Sequence, residues 1–504
     1  MDLERLMEIN TLYYGDNLKI LRKYIPDNSI DLIYLDPPFN SKATYNVLFK
    51  EPTGEPSQAQ ITAFEDTWHW GNESEQTFQK IVDTAPANVV EMARAFRAFI
   101  GKNDMMAYLV MMCIRLLELK RVLKDSGSIY LHCDPTAGHY LRVTMDTIFN
   151  VSNIISEIVW GYGTPSGGRT MGRKPVKGHD ILLVYAKEYG KHTYHKIFTP
   201  YSDKYISERF TFVDEQGRIY RTRKREGGII TRQYLDESPG VPLSDTWTDI
   251  KQLYAYHLIK RKEEELGYPT QKPLALLERI VQVSSNEGDI VLDPFCGCGT
   301  ALVAAQKLSR KWVGIDITHL AISNMKWRLN KIFPGIEYKV VGEPVDITGA
   351  RELANENQYQ FQWWALSLIG ARPYGDKKRG ADTGIDGYVY FMDEKEKIKK
   401  AIVQVKSGGV SVNQIRDLWG VIGRERAEMG IFITLEPPSK PMETEAISQG
   451  FYRSPLGKDY PKMQILTIDE LLKGKKPDIP PWVSPIQAPP RFKQAKGISV
   501  RRML

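Results

Sequence analysis

The segment Asp289-Ile-Val-Leu-Asp-Pro-Phe-Cys-Gly-Cys-Gly-Thr300 constrains the fold of this chain more than any other. A short apolar run leads into a turn carrying Gly297 and Gly299. A helical pattern follows over 301–308, and the next apolar run, 312–316, ends in Asp316. Strand, glycine turn, helix and a second strand ending in an acid is how α/β sheets hold nucleotide-like cofactors. Glycine lets the backbone approach a ligand, and the acid accepts from ribose hydroxyls. Neither G-x-G-x-x-G nor a P-loop lysine is present, which disfavours a dinucleotide or a nucleoside triphosphate and leaves room for a smaller adenosyl cofactor. Cys296 and Cys298 have no His or Cys partner nearby in sequence, so they are expected to pack against the turn rather than hold a metal.

A second apolar run, 30–35, enters Asp36-Pro37-Pro38-Phe39-Asn40. Two prolines fix a rigid turn at the carboxyl end of the expected strand. Such rigidity suits a site that holds a planar amine, because Asp36 and a turn carbonyl can accept its two N–H groups and draw the lone pair out of conjugation. Phe39 would stack on the base. Alignment of this kind supplies on the order of 7–11 kcal/mol at best.

With 504 residues, the chain is expected to hold two to four units at about 100–200 residues each. Residues 11–15 and 30–35 read as strands around a helical stretch, 18–24, a βαβ beginning. Residues 88–123 read as a long helical region, and 128–132 as a strand after a turn at 125–127. The pattern then breaks over 161–265 into Gly-, Lys- and Arg-rich sequence with the cluster Arg218, Arg221, Arg223, Lys224 and Arg225, read as an inserted recognition region. Alternation resumes at 274–284 (helix), 289–292 (strand) and 319–332 (helix), giving a first unit over 1–342. A differently patterned unit spans 343–475, and 476–504 forms a Pro-rich, basic tail.

The charge of +7 has the sign that favours a polyanionic partner. The four cysteines form no disulfide framework, the first ten residues lack an apolar signal core, and no 18-residue uncharged apolar run occurs. A cytoplasmic protein with no membrane span is therefore expected.

Asp-Pro-Pro-Phe followed later by Asp-Pro-Phe-Cys-Gly-Cys-Gly-Thr resembles the amino-group DNA methyltransferases of the β arrangement, in which the catalytic motif precedes the cofactor motif. The resemblance covers about 11–335. It includes Tyr14-Gly15-Asp16, His132-Cys133-Asp134, His139-Tyr140-Leu141 and Tyr268-Pro269-Thr270-Gln271-Lys272-Pro273. It implies an α/β, Rossmann-like sheet binding S-adenosylmethionine, with Asp16 near the adenine. It puts Asp293, Pro294, Phe295, Cys296, Gly297, Gly299 and Thr300 around the methionine part, Asp316 on the ribose, and Thr270, Gln271, Lys272 and Pro273 beside the carboxylate. Asp36, Pro37, Pro38 and Phe39 would be catalytic. The implied reaction is methylation of adenine N6 in double-stranded DNA after base flipping, with cytosine N4 or an RNA base as alternatives. Arg218 to Arg225 would contact phosphates. A homodimer is the assembly considered, in a prokaryotic or phage setting of restriction-modification or defence.

Over about 350–475, Gly-Ile-Asp386-Gly followed by Gln404-x-Lys406 resembles the Mrr-like branch of the PD-(D/E)xK nuclease fold. The resemblance implies a second α/β domain in which Asp386 and Gln404 hold Mg²⁺ and Lys406 orients water or stabilises the phosphate. It departs from the pattern at Gln362, where many relatives have Glu, and at Gln404, which stands for an acid. An inactive, DNA-binding remnant is the alternative.

Overall fold

The computed structural model describes residues 7–37, 69–162, 176–253, 271–374, 384–394, 397–455 and 457–480, with the backbone of two further strands, Thr44–Lys50 and Pro56–Glu65. Pro38, Phe39, Thr270 and residues 481–504 of the tail lie outside the described residues.

The apolar runs assemble into a nine-stranded sheet. Its order is Thr246–Trp247, Ile154–Gly161, His179–Ala186, Leu123–Cys133, Ile30–Leu35, Ile290–Asp293, Lys311–Asp316, Thr11–Tyr14 and Lys339–Val341. All neighbouring pairs are parallel except the two made by His179–Ala186. Helices cover both faces, so the central strands bury apolar side chains on both: Leu32, Ile33, Leu292 and Val313 are fully buried. Each such side chain contributes roughly 1.5–3 kcal/mol.

The helical region 88–123 is divided into two helices, Ala87–Ile100 and Asp104–Val122. Gly101 takes φ +82°, which ends the first, and Asn103 caps the second by accepting the Met106 N–H at 3.1 Å. Helix Asp104–Val122 is apolar on nearly all sides because it lies between neighbours, so its spacing carries no amphipathic break to mark the boundary. A further helix, Asn72–Thr84, precedes them. Residues 123–127 belong to the strand Leu123–Cys133, as an irregularity between the pairs Ile30↔Leu123 and Leu32↔Ser128.

The stretch expected as a recognition insertion, 161–265, contains two strands of the main sheet, His179–Ala186 and the edge strand Thr246–Trp247. Between them the chain builds two small sheets, Phe212–Val213 with the ribbon Ile219–Lys224 and Ile230–Tyr234, and Phe198–Thr199 with Val241–Pro242.

The second unit has its own five-stranded sheet, ordered Arg372–Pro373, Gly387–Glu394, Lys397–Lys406, Met429–Thr434 and Met463–Thr467. Helix Gln358–Leu368 of this unit packs on helix His319–Ile332 of the first. At that seam the buried His319 ring stacks on Tyr14 with centroids 3.7 Å apart, and its Nδ1 lies 3.5 Å from a Glu343 carboxylate oxygen. Gly342 takes φ +97°, and a Cβ there would lie 2.4 Å from the Tyr14 carbonyl oxygen, so only glycine turns the chain here.

Candidate active site

Four of the acids singled out in the sequence leave one edge of the main sheet. Tyr14 pairs with Asp316, Asp293 with Gly314, and Leu292 with Ile33, so the strands preceding Asp16, Asp316, Asp293 and Asp36 are consecutive neighbours. Chain order reverses between Ile30–Leu35 and Ile290–Asp293: one is followed along the sheet by Leu123–Cys133, the other by Lys311–Asp316 on the opposite side. Ligands of open α/β sheets bind in the crevice at such a switch point.

The turn after Asp293 is held from several directions. Gly297 and Gly299 take φ +50° and +74°. Asp316 accepts the Gly297 N–H at 2.9 Å and, through its other oxygen, the Thr318 N–H and hydroxyl at 2.9 Å. Asp293 accepts the Phe295 N–H at 3.1 Å. The buried Arg328 donates to the Cys298 carbonyl and the Thr300 hydroxyl, both at 3.0 Å. Cys296 is buried, with its sulfur 3.1 Å from the Ile315 carbonyl and 3.3 Å from Met325 sulfur, and Pro294 accepts from Asn17. Both cysteines are packing groups whose thiols burial pushes up, and among the described residues no cluster of three or more His, Cys, Asp or Glu could hold a metal. Burial raises Asp316 to about 6 against the N–H groups that oppose it, and raises Asp293 well above the usual carboxylate range.

Asp16 caps helix Asn17–Tyr24 by accepting the Lys19 N–H at 3.0 Å, and its other oxygen pairs with Arg115 at 2.7 Å. Arg115 also donates to the Asn17 side-chain oxygen at 2.6 Å, while the Asn17 amide donates to the Pro294 carbonyl at 2.8 Å. A polar chain thus ties the Asp16 turn to the glycine turn.

Asp36 is ion-paired with Lys272 of the Gln271-Lys272-Pro273 segment, whose proline precedes helix Leu274–Ser284. The family resemblance puts Lys272 beside a cofactor carboxylate; the structure places it on Asp36. The second Asp36 oxygen, Oδ1, is buried with no hydrogen-bond partner among the described residues. Pro37 follows directly. Beneath lies a polar chain: the Tyr34 hydroxyl is 3.0 Å from His132 Nδ1, His132 Nε2 is 3.3 Å from Asp180, and Lys177 is 2.5 Å from the other Asp180 oxygen. Burial and the Asp36 charge raise Tyr34. Burial also opposes the Asp180 charge, but the His132 hydrogen bond and the His132, Lys272 and Lys177 charges outweigh it and hold Asp180 below the usual range.

Asn17, Arg115, Arg328, Tyr34, Lys177 and Asp180 do not stand out in the sequence. Two carry a signal nonetheless: Arg115 interrupts the apolar run that follows Asp104, and Asp180 is the one charge at the head of the apolar run 181–186.

The five basic residues expected on DNA divide. Arg218 is tied to Asp236 at 2.8 Å and Glu237 at 2.5 Å, and Arg221 donates to Tyr205 hydroxyl at 2.6 Å and to Gln233 at 2.9 Å. Arg223, Lys224 and Arg225 are exposed.

In the second unit Asp386 directly precedes strand Gly387–Glu394, and Gln404 and Lys406 share one face of Lys397–Lys406, as the alternation implies. Both Asp386 oxygens already accept from the protein, one from the Gln362 amide at 2.7 Å and the other from the Val405 N–H at 2.6 Å. Gln404 is buried, with its side-chain oxygen unpartnered among the described residues. A single carboxylate, whose neighbours at the site are the amides Gln362 and Gln404 and no second acid, is a poor match to the oxygen shell of Mg²⁺.

The sequence pattern of the NACHT-associated inactive restriction endonuclease 1 family matches residues 358–473. Type II methyltransferase M.BamHI of Bacillus amyloliquefaciens is 26% identical over 315 residues, 62% of this chain and 56% of that protein. The DNA adenine methyltransferase YhdJ of Escherichia coli (strain K12) is 26% identical over 310 residues, 62% of this chain and 79% of that protein. This chain therefore spans little more than half the length of the first of these relatives. A solved DNA modification methylase of Thermus thermophilus, TTHA0409, in complex with S-adenosyl-L-methionine, aligns at 17% identity with a TM-score of 0.36, over 66% of this chain and 99% of that one. The pattern of the N6/N4 DNA methylases matches residues 30–326, more than half of the chain, which accordingly belongs to the N6/N4 DNA methylase family.

Proposed function

We propose that residues 1–342 transfer a methyl group from S-adenosylmethionine to the exocyclic amino group of a base in double-stranded DNA, with adenine N6 as the target. The observation that carries this is Asp36: its Oδ1 is buried without a partner among the described residues, on the strand next to the glycine turn. An acceptor in that state is ready for an amine N–H, and an acceptor left empty there costs about 1–3 kcal/mol.

The bound cofactor supplies a methyl carbon on a positively charged sulfur. Asp316 would accept the ribose hydroxyls, the turn from Asp293 to Thr300 would enclose the methionine part, the Asp16 turn would border the adenine, and Gln271 and Pro273 would border the carboxylate, with Lys272 held on Asp36. Asp36 Oδ1 accepts one N–H of the base amine and so aims the nitrogen lone pair. With the cofactor bound, the nitrogen–methyl bond would form as the carbon–sulfur bond breaks, its pair would stay on sulfur, and the nitrogen would release one proton, for which Asp36 is the acceptor at hand. Pro37 holds the turn rigid, and Pro38 and Phe39 follow it in sequence. Mapping the modified bases in duplex DNA incubated with protein and labelled cofactor tests the reading. Labelled N4-methylcytosine would replace the adenine assignment, and label entering only RNA would remove the DNA one.

Cofactor affinity should depend on pH through Asp316. Its carboxyl, raised to about 6, is an acceptor for ribose hydroxyls only when ionised, so affinity is expected to be flat above pH 7 and to fall as pH drops through about 6. Without cofactor the sign reverses: a raised carboxyl stabilises the fold below the unfolded value near 4, and that contribution is lost as pH rises through about 6. Calorimetric titration of cofactor between pH 5 and 8 checks this, and an affinity unchanged across that range would refute it.

For residues 343–475 the nuclease expectation gains no support from the geometry. Asp386 is engaged by Gln362 and Val405, and the matched family is described as inactive. We read this unit as a DNA-contacting domain without cleavage. Duplex DNA, methylated or not, should remain intact with the full chain in Mg²⁺ or Mn²⁺. Cutting that disappears in Asp386→Ala and Lys406→Ala would restore the nuclease assignment.

A further inference from the structure

The ribbon Ile219–Lys224 and Ile230–Tyr234 is built differently at its two ends. At the base, Arg218 is neutralised by Asp236 and Glu237, and Arg221 lies over the rings of Tyr201, Tyr205 and Phe210 at 5.9, 5.7 and 5.0 Å. Tyr220 packs on Tyr234 and Phe212, with centroids 5.5 Å apart in each case. Exposed aliphatic side chains occur there too, Val213 and Ile219, but beside the acids Asp214, Asp236 and Glu237. That end repels a polyanion and is anchored to the rest of the insertion.

At the tip the reverse holds. Lys224 pairs with Ile230, and the Arg225 N–H donates to the Ile229 carbonyl at 2.8 Å, closing the ribbon over the turn Glu226–Gly228. Ile229 and Ile230 are 63% and 65% exposed, among the most exposed large aliphatics of the described residues. Ile229, in extended backbone after the turn, leads directly into the strand Ile230–Tyr234, so the two isoleucines are adjacent at the tip of the ribbon. Arg223, Lys224 and Arg225 stand beside them, exposed. From the anchored pair Arg221↔Gln233 to Lys224↔Ile230 is three residues. At about 3.3 Å each they extend roughly 10 Å, which exceeds the depth of either DNA groove, about 7.5–8.5 Å.

From this we infer that the tip of the ribbon is a wedge for duplex DNA: Arg223, Lys224 and Arg225 hold backbone phosphates while Ile229 and Ile230 enter the base stack and open a single step. The occupant is DNA because exposed apolar side chains and exposed cations coincide at this end of the ribbon and an anchored base supports it. Aliphatic side chains that pry base steps apart beside phosphate-binding cations are a recurrent physical solution to unstacking. In this chain the opened step would lower the cost of extruding a base towards Asp36, so the inference rests on the proposed methyl transfer to duplex DNA.

A wedge binds best where the stack is already interrupted. The full chain is titrated by fluorescence anisotropy against a labelled duplex, either intact or carrying one central abasic site, over a range of salt. Wild type should bind the interrupted duplex about tenfold more tightly. Ile229→Ser with Ile230→Ser should remove that preference while keeping the salt dependence and the unfolding midpoint, since both side chains are exposed. Arg223→Ala, Lys224→Ala and Arg225→Ala together should flatten the slope of log affinity against log salt by about 2.7, at about 0.9 per phosphate. If the isoleucine variant keeps the preference, the wedge is overturned while the methyltransferase reading stands. If that variant instead changes the sedimentation of the protein alone, the tip is an interface between copies and the wedge is again overturned. If wild type binds no duplex, the DNA reading itself fails.

Discussion

Asp36→Asn is expected to lower methyl transfer at least about a hundredfold to a thousandfold, the range seen when one aimed hydrogen-bonding group is removed from a reacting centre. The substitution keeps the size of the side chain but turns one acceptor into a donor, which opposes either the base amine or Lys272. It also leaves Lys272 without its counter-charge where its side chain is 10% exposed. Breaking a buried pair from one side costs up to about 3–5 kcal/mol, so a lower unfolding midpoint is expected as well. Lys272→Met added to Asp36→Asn separates the two effects: it removes the orphaned charge and should recover stability without recovering methyl transfer. Labelled-cofactor incorporation and thermal unfolding on the three proteins decide the matter. Wild-type incorporation by Asp36→Asn would sink the catalytic assignment. Recovery of activity in the double variant would reduce Asp36 to a structural partner of Lys272.

The other large effect is expected at Asp316. Asp316→Ala removes the acceptor of the Gly297 N–H and of the Thr318 N–H and hydroxyl, hydrogen bonds to a charged group worth about 1.5–3 kcal/mol each. The glycine turn loses its tie to the neighbouring strand, and the ribose loses its acceptor. Cofactor affinity should fall at least about a hundredfold, about 2.7 kcal/mol. Asp316→Asn is the finer probe, because it can keep the Thr318 contacts while presenting an amide N–H to the Gly297 N–H. With no carboxyl to titrate, that variant should also lose the inflection in cofactor affinity near pH 6. Affinity within about threefold of wild type in Asp316→Ala would remove Asp316 from the cofactor site.

The regions of this molecule legible in its sequence are those with short-range causes. The strands Ile30–Leu35 and Lys311–Asp316 and the helix His319–Ile332 follow from apolar runs and spacing, and the glycine turn from residues that alone adopt positive φ cheaply. The split of 88–123 into two helices is not legible by periodicity, because helix Asp104–Val122 is covered on all sides, although Gly101 and Asn103 mark the break. Two strands of the main sheet lie inside the expected insertion: His179–Ala186, an apolar run set among Gly-, Lys- and Arg-rich sequence, and Thr246–Trp247, whose two residues are too short to show a pattern. Long-range polar partners are the least visible. Nothing local to Asp36 announces Lys272, 236 residues away, and nothing local to Asp386 announces that Gln362 and Val405 engage both its oxygens. The basic cluster shows the same limit, since five like charges in sequence become two neutralised or stacked anchors and three exposed cations only once Asp236, Glu237 and Tyr205 are brought alongside.

The stacked Tyr14–His319 pair bears on how such a chain is inherited. His319 belongs to the helix that closes the first sheet's last crossover, yet its ring lies against Glu343, and its backbone N–H donates to the Gln360 side-chain oxygen at 3.4 Å. A recombination event that exchanged everything after residue 342 would bring in a foreign helix to cover an aromatic stack and a buried imidazole it had never met. A C-terminal module exchanged at this seam would keep the fold only if its first helix already suited that face.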